Sequence, residues 1–224
     1  MNLSVIVPVL NEALLVPELL EQLSLLARQQ AEIIVVDGGS TDGTAQSAER
    51  AGLRVLRAAP GRARQMNAGA AQASAEVLLF LHADTQLPAG AVQLIARALA
   101  DGNRVWGRFD VRIRGRPFML RVVSVMMNLR SRLSGIATGD QALFITRRAF
   151  DQVGGFPDQP LMEDIELSRR LLALSRPACI ARCAAPSGRR WETHGVWRTI
   201  VLMWRLRWAY WRGVPVQELA RAYR

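Results

Sequence analysis

The first hundred residues alternate short apolar runs with stretches of helical period. Leu3–Leu10 carries no charge and reads as a buried strand. Ala13–Arg28 places Leu14, Leu15, Leu19, Leu20, Leu23 and Leu26 along one side of a helix. Glu32–Asp37 predicts a second strand, followed by the turn Gly38-Gly39-Ser40-Thr41-Asp42-Gly43 and a helix through Ala51. Arg54–Ala59 predicts a third strand, Arg62–Ser74 a helix, Val77–Leu81 a fourth strand and Ala89–Ala100 another helix. Apolar strands alternating with helices predict an α/β fold whose mostly parallel sheet is covered by helices on both faces. Right-handed crossovers bring the C-terminal ends of such strands to one rim, where open α/β sheets bind ligands.

The second half is less regular. Trp106–Arg114 alternates apolar and charged residues like a solvent-facing strand, and Phe118–Leu133 reads as an amphipathic helix with Met126 and Met127 on its apolar side. Ala142–Thr146 predicts a short buried strand, and Glu163–Leu174 a helix that opens on two adjacent acids. Val196–Arg212 sets Trp197, Trp204, Trp208, Tyr210 and Trp211 among Arg198, Arg205, Arg207 and Arg212. The expected organisation is one domain over residues 1–195, divided near residue 100, and an amphipathic Arg/Trp-rich helical segment over 196–224.

Composition removes several chemistries. All 29 basic residues are Arg. Without Lys there is no Walker-type phosphate loop, Lys-dependent kinase layout or Schiff base. Only His82 and His194 are present, which excludes multi-His zinc sites. Cys179 and Cys183 fit neither a disulfide scaffold nor a zinc spacing, so a reducing cytoplasmic compartment is the expectation. The first Arg is Arg28, so the N-terminus has no basic signal-peptide region. The longest apolar runs, Val77–Leu81 and Ile200–Trp204, are five residues each. A bilayer span needs roughly 20. Charge is divided unevenly: residues 1–100 hold 7 Arg and 9 acids, a net of −2, and residues 101–224 hold 22 Arg and 10 acids, a net of +12.

Carboxylates gather at the predicted rim. The first strand ends near Asn11-Glu12, the second at Asp37, and the fourth runs into His82-Ala83-Asp84. Any one acid there can be a helix cap. Three strand ends carrying acids beside a Gly-rich turn point instead to a ligand site. The turn is not G-x-G-x-x-G, which disfavours a nicotinamide enzyme.

Four segments in order carry a resemblance. They are Val5-Ile6-Val7-Pro8-Val9-Leu10-Asn11-Glu12, Ile34-Val35-Val36-Asp37-Gly38-Gly39-Ser40-Thr41-Asp42-Gly43-Thr44, Leu79-Phe80-Leu81-His82-Ala83-Asp84-Thr85 and Met162-Glu163-Asp164-Ile165-Glu166-Leu167. Over about residues 3–175 the chain resembles the family 2 glycosyltransferases, which have the GT-A fold and an inverting mechanism. It is most similar to a short bacterial subset associated with arsenosugar or selenium gene neighbourhoods. The resemblance implies a nucleotide-binding half over 1–100 and an acceptor and catalytic half over 101–195. It implies a nucleotide-sugar donor, UDP-linked before GDP-linked, with Pro8, Asn11, Glu12, Asp37, Gly39, Arg64, Asn67 and Asp84 around the nucleotide. Asp84 matches the metal position of the D-x-D motif, for Mn²⁺ or Mg²⁺, and His194 is a second candidate ligand. The first acid of that motif is replaced by His82. Asp164, with Glu163 beside it, matches the catalytic base. Gly139, Asp140, Gln141, Arg190 and Trp191 are candidates for donor-sugar or acceptor contact.

Rival readings are a nucleotidyltransferase of related layout and a non-catalytic basic protein binding nucleic acid or a membrane surface. The first lacks a Gly-rich basic loop after strand one, and the acidic rim argues against nucleic acid as a partner. The Trp-rich segment either packs on the domain or lies on an anionic membrane, the inner face of the plasma membrane being the expected one, where a lipid-linked acceptor would be met.

Overall fold

In the computed structural model, which describes residues 1–223, alternate residues of strand β1 (Leu3–Val9) serve two different cores. Leu3, Val5, Val7 and Val9 pack with α1 (Val16–Arg28) and α4 (Ala91–Leu99) on one face. Ile6 packs with α3 (Arg62–Gln72), α6 (Arg147–Gln152) and α7 (Glu163–Leu171) on the other. The two-residue period of a strand is what divides the apolar side chains between the layers. Gly69 on α3 is required by this packing: a Cβ there would stand 2.5 Å from Ile6 Cγ2 and 2.9 Å from Val36 Cγ2.

β1 pairs in parallel with β2 (Glu32–Asp37) and β4 (Val77–Phe80), and β2 with β3 (Arg54–Arg57), α2 (Thr44–Arg50) joining the last pair. β7 (Leu143–Thr146) runs antiparallel to β4 and to β6 (Trp106–Val111). β8 (Ala178–Pro186) then runs parallel to β6, and β5 (Thr85–Gln86) closes the far edge against β8. The order is β3-β2-β1-β4-β7-β6-β8-β5, with β5 and β7 opposed to the rest. The expected mostly parallel sheet, with helices on both faces, is what forms.

The solvent-facing reading of Trp106–Arg114 is overturned. All six residues of β6 are buried, because β7 and β8 flank the strand. Its charges are internal: Arg108, with no exposed surface, pairs with Asp110, which also holds Arg132 Nη2 at 2.7 Å. β8 escapes the apolar pattern because its Ala-Cys-Ile-Ala-Arg-Cys sequence has little β-branched content and an exposed middle. The short elements α6, α8 (Arg189–His194) and β5 are likewise additions to the sequence reading, and α10 (Val216–Tyr223) is a second helix within the expected C-terminal helical segment.

Two more expectations shift. Helix α5 (Met119–Ser134) buries Leu120 and Val123, not Met126, which is 55% exposed; Met127 is half-buried. Helix α9 (Val196–Trp211) buries Leu206 against Met162 and Leu219 of α10, yet Trp197, Trp204, Trp208 and Trp211 do not pack on the domain. Arg224, the end of the predicted 196–224 segment, lies outside the described residues.

Candidate active site

The loop after β1 is tied to the loop after β2 by side chains that cap backbone donors. Asn11 holds φ at 54°, its Oδ1 accepts the Thr41 N–H at 2.9 Å, and its own N–H donates to Ser40 Oγ at 2.9 Å. Glu12 N–H donates to Thr44 Oγ1 and Ala13 N–H to Asp42 Oδ2, both at 2.9 Å. Asp37 ends β2 in register with Val9 and is 3% exposed. Its carboxylate accepts the N–H groups of Gly39 at 2.9 Å and Ser40 at 3.0 Å, with Gly39 at φ 94°. A carboxylate has about four acceptor positions, so Asp37 keeps capacity for a ligand N–H. Gln65 of α3 braces this corner by donating to the Val9 and Val36 carbonyls, each at 2.8 Å. Pro8 is buried in β1, in register with Val36.

Asp84 follows β4 on the same rim. Its backbone carbonyl accepts from Ser187 N–H at 3.1 Å and Arg114 Nη2 at 3.2 Å, and its Oδ1 takes only the Thr85 hydroxyl at 3.3 Å. Arg189, two residues beyond Ser187, reaches Glu12 at 3.2 Å. Among the described residues the carboxylate of Asp84 is therefore largely uncommitted.

A second cluster forms where α7 begins. Met162, at φ 65°, turns the chain so that Glu163 and Asp164 open the helix. Asp164 Oδ2 accepts the Gly139 N–H at 2.8 Å and Oδ1 the Ile165 N–H at 2.7 Å. Burial, then the neighbouring Asp164 charge, pushes Glu163 up to about 7, and burial also raises Asp164. Across from them His82 Nδ1 lies 3.4 Å from Asp140 Oδ1. Burial would raise Asp140, but the His82 hydrogen bond and the charges of His82 and Arg62 outweigh it and hold the carboxyl low. Among the described residues four non-glycine residues have positive φ, and two of them, Ala142 and Met162, respectively follow Asp140 by two residues and immediately precede Glu163. Such backbone costs on the order of 1–3 kcal/mol each and collects at functional sites.

Arg62 is the member that sequence reasoning missed. Its side chain is exposed. Desolvation alone would lower its proton affinity, yet Glu163, then Tyr223, Asp140 and Asp164, raise it. Its position at the head of α3, directly after Gly61, was the available signal. Arg130 approaches from α5: burial lowers its affinity for its proton, the Asp164 charge opposes this, and its Nε and Nη2 have no protein partner.

Several expected contacts are committed elsewhere. Arg64 pairs with Asp158 at 2.8 Å, whereas the charges of Glu163, Asp140 and Asp164 act on Arg62. Asn67 uses both ends of its amide on Phe156, donating to its carbonyl at 2.8 Å and accepting its N–H at 3.0 Å. Gln141 is wholly buried and accepts the Thr138 N–H at 3.1 Å. Arg190 lies 3.7 Å over the Tyr223 ring and donates to its carbonyl at 2.7 Å, while Trp191 packs on the α5 cluster. His194 is exposed, with Nδ1 3.2 Å from the Arg190 carbonyl. Among the described residues no group of three His, Cys, Asp or Glu is placed to hold a metal. A hard cation would have one carboxylate, Asp84, and would need phosphate oxygens to complete its shell.

The comparisons place the fold among known proteins. No curated protein matches the sequence. Among solved structures, the mannosyltransferase PcManGT from Pyrobaculum calidifontis, in complex with GDP-Man and Mn²⁺, superposes with a TM-score of 0.61 at 24% identity, covering 82% of this chain and 56% of that one. S. aureus TarS 1-349 in complex with UDP-GlcNAc gives 0.66 at 21%, covering 84% and 58%. Glucosyl-3-phosphoglycerate synthase from Mycobacterium tuberculosis, with Mn²⁺, UDP and phosphoglyceric acid, gives 0.62 at 21%, covering 83% and 70%. The chain thus spans less than two thirds of the first two, and at these identities the likeness is one of fold. The family model for glycosyl transferase family 2 matches residues 4–154, which hold the rim, the His82–Asp140 pair and Arg62, and the chain belongs to that family.

Proposed function

We propose that the chain is an inverting glycosyltransferase that moves a hexose from a nucleotide-sugar, UDP-linked in preference to GDP-linked, to an acceptor hydroxyl. The observation that carries this reading is the acid pair at the head of α7. Asp164 is held by two backbone N–H groups, and burial raises its proton affinity. A carboxylate so placed is fixed in direction and more basic than one in water, which is what a general base needs. The acceptor oxygen attacks the anomeric carbon as its proton passes to Asp164. The bond from that carbon to the diphosphate oxygen breaks, and the nucleoside diphosphate leaves with the electron pair.

The rim would receive the nucleotide. Asp37 offers an acceptor to a ring N–H of the base, and Pro8, Asn11, Glu12 and Gly39 shape the corner around it. Arg62 would meet the diphosphate or the developing charge, as a planar fork of donors suits. Asp84 supplies one hard oxygen, which fits a Mn²⁺ or Mg²⁺ shared with the diphosphate; such a cation, when bound, offsets charge on the departing nucleotide. The structures of similar fold crystallised with these ions and with UDP or GDP-Man support the assignment. His194 is kept as a second ligand candidate only with donor bound. The narrower likeness to the arsenosugar or selenium-neighbourhood subset has no residue in the site to carry it and is not proposed.

Calorimetric titration with UDP and with GDP, each with and without Mn²⁺, on the wild type and Asp84→Ala tests the reading. Metal-dependent binding of one nucleotide, lost in the variant, is the expected result. Binding of neither nucleotide under any of these conditions would overturn it.

A further inference from the structure

No helix among the described residues is long and apolar enough to cross a membrane. Large apolar side chains are nevertheless exposed in two ordered rows. On α9, Trp197, Trp204, Trp208 and Trp211 are 67%, 71%, 62% and 79% exposed. With Val201 they fall within about 40° of one line along the helix at 100° per residue. Leu206 and Thr199 are buried on the opposite side. On α5, Phe118, Val122, Val125, Leu129 and Leu133 make a second row, and Leu120 and Val123 are buried behind it. The two helices are neighbours: Val196 and Ile200 of α9 pack on the cluster that Leu120 and Val123 form with Ile113. Exposed apolar surface of this extent marks an interaction site.

Charge selects the occupant. Neither α5 nor α9 contains an acid. Exposed Arg198, Arg205 and Arg212 follow the Trp row at about 60–100° to one side, and among the described residues none of them pairs with an acid. Arg212 sits 5.3 Å from the Trp208 ring centroid and Arg121 5.8 Å from that of Phe118. A second copy would set one acid-free basic face against another, which is repulsive. Trp beside Arg is the pattern of a helix lying at a lipid headgroup layer, its rings at the acyl boundary and its guanidinium groups on phosphates.

We propose that the outer faces of α5 and α9 together form a docking surface for an anionic lipid membrane, occupied without crossing it. Its placement has a consequence for the site. Leu206, on the buried side of α9, packs on Met162, and the next residue is Glu163. The docked face and the acid pair therefore stand on opposite sides of one helix.

The full chain is sedimented with phosphatidylcholine vesicles, with and without phosphatidylglycerol, while tryptophan emission is followed. Binding to the anionic vesicles with a blue shift is expected, weakened by salt and about tenfold weaker on neutral ones. Trp204→Ser/Trp208→Ser and, separately, Val125→Ser/Leu129→Ser are each expected to cut partitioning about tenfold, with unchanged circular dichroism and nucleotide binding. No binding to anionic vesicles, or variants that bind like the wild type, would overturn the proposal. So would sedimentation equilibrium showing a dimer that these variants dissolve. The proposal stands apart from the catalytic reading, because nucleotide titration on the same preparation reports that reading separately.

Discussion

His82 and Asp140 face each other at 3.4 Å, and the His82 ring occupies the space that a Cβ on Gly139 would fill. The family pattern has an acid where His82 stands. Here the acid comes from the Gly139–Gln141 turn, and the imidazole takes the place between that turn and β4. The same turn holds Asp164 through the Gly139 N–H. His82 is thus connected, through one turn, to the position of the proposed base.

Gly139→Ala is therefore expected to act through His82. The new methyl forces the ring or the turn aside, an overpacking cost of about 1–3 kcal/mol. It also moves the N–H that orients Asp164. Thermal unfolding and donor-hydrolysis rate should both fall in Gly139→Ala. The double variant with His82→Ala should recover part of each, giving a coupling energy that two independent sites would not show.

The acid pair should govern pH dependence. Glu163 is pushed up to about 7 in the folded chain from an ordinary 4.5. The folded state thus binds its proton more tightly than the unfolded chain does. This stability is fully present below pH 4.5 and is lost as pH rises through about 7. Glu163→Gln keeps the neutral form, so above pH 7 it should be more stable than wild type, by on the order of 3 kcal/mol, and close to it at pH 4. Chemical denaturation of the ligand-free protein at the two pH values measures the difference. Asp164→Asn should cost about 10²–10⁴ in turnover at any pH, since it removes the proposed base.

The acidic rim was legible because its carboxylates sit at strand ends. Asp37 ends an apolar run, Asp84 follows another by a few residues, and parallel topology then places both on one edge. The Glu163-Asp164 pair was visible as adjacent acids opening a helix, but its environment was not, since burial and the Gly139 contact come from a turn more than twenty residues away. Arg62 was hidden for a related reason. Both Arg62 and Arg64 lie on the first turn of α3, and only the tertiary fold brings one within the field of the acids and the other onto Asp158. β6 misled because alternation of apolar and charged residues is the mark of a half-exposed strand. In this sheet Arg108 and Asp110 satisfy each other beneath α5, and the alternation reports an internal ion pair.

That internal pair makes a stability prediction. Asp110 takes Arg108 on one oxygen and Arg132 on the other, and Arg108 Nε already lacks a partner. Asp110→Asn leaves a buried guanidinium without compensation, at a cost of about 3–5 kcal/mol. Arg108→Met with Asp110→Leu removes both charges and should recover most of that loss, because well-packed apolar residues can replace a buried pair. Urea denaturation of the three proteins distinguishes this from simple loss of packing, which the double variant would worsen.

Arg62 provides the last prediction. It is drawn to Glu163, Asp140 and Asp164 together, and its charge lowers the proton affinity of Glu163 against the effects of burial and of Asp164. Arg62→Met removes that charge while keeping much of the stem. The acid pair should then hold its proton to higher pH, so the rising limb of the turnover profile moves toward alkaline values. Arg62→Lys restores the charge and should return the limb toward the wild-type position. If Arg62 also meets the diphosphate, as proposed, Lys should leave donor affinity weaker than wild type, because an ammonium does not reproduce the bidentate fork. A profile unmoved by Arg62→Met would mean that the acids titrate independently of it. A profile moved by Met and restored by Lys, with affinity only partly recovered, separates what the charge does for the base from what the shape of the group does for the phosphates.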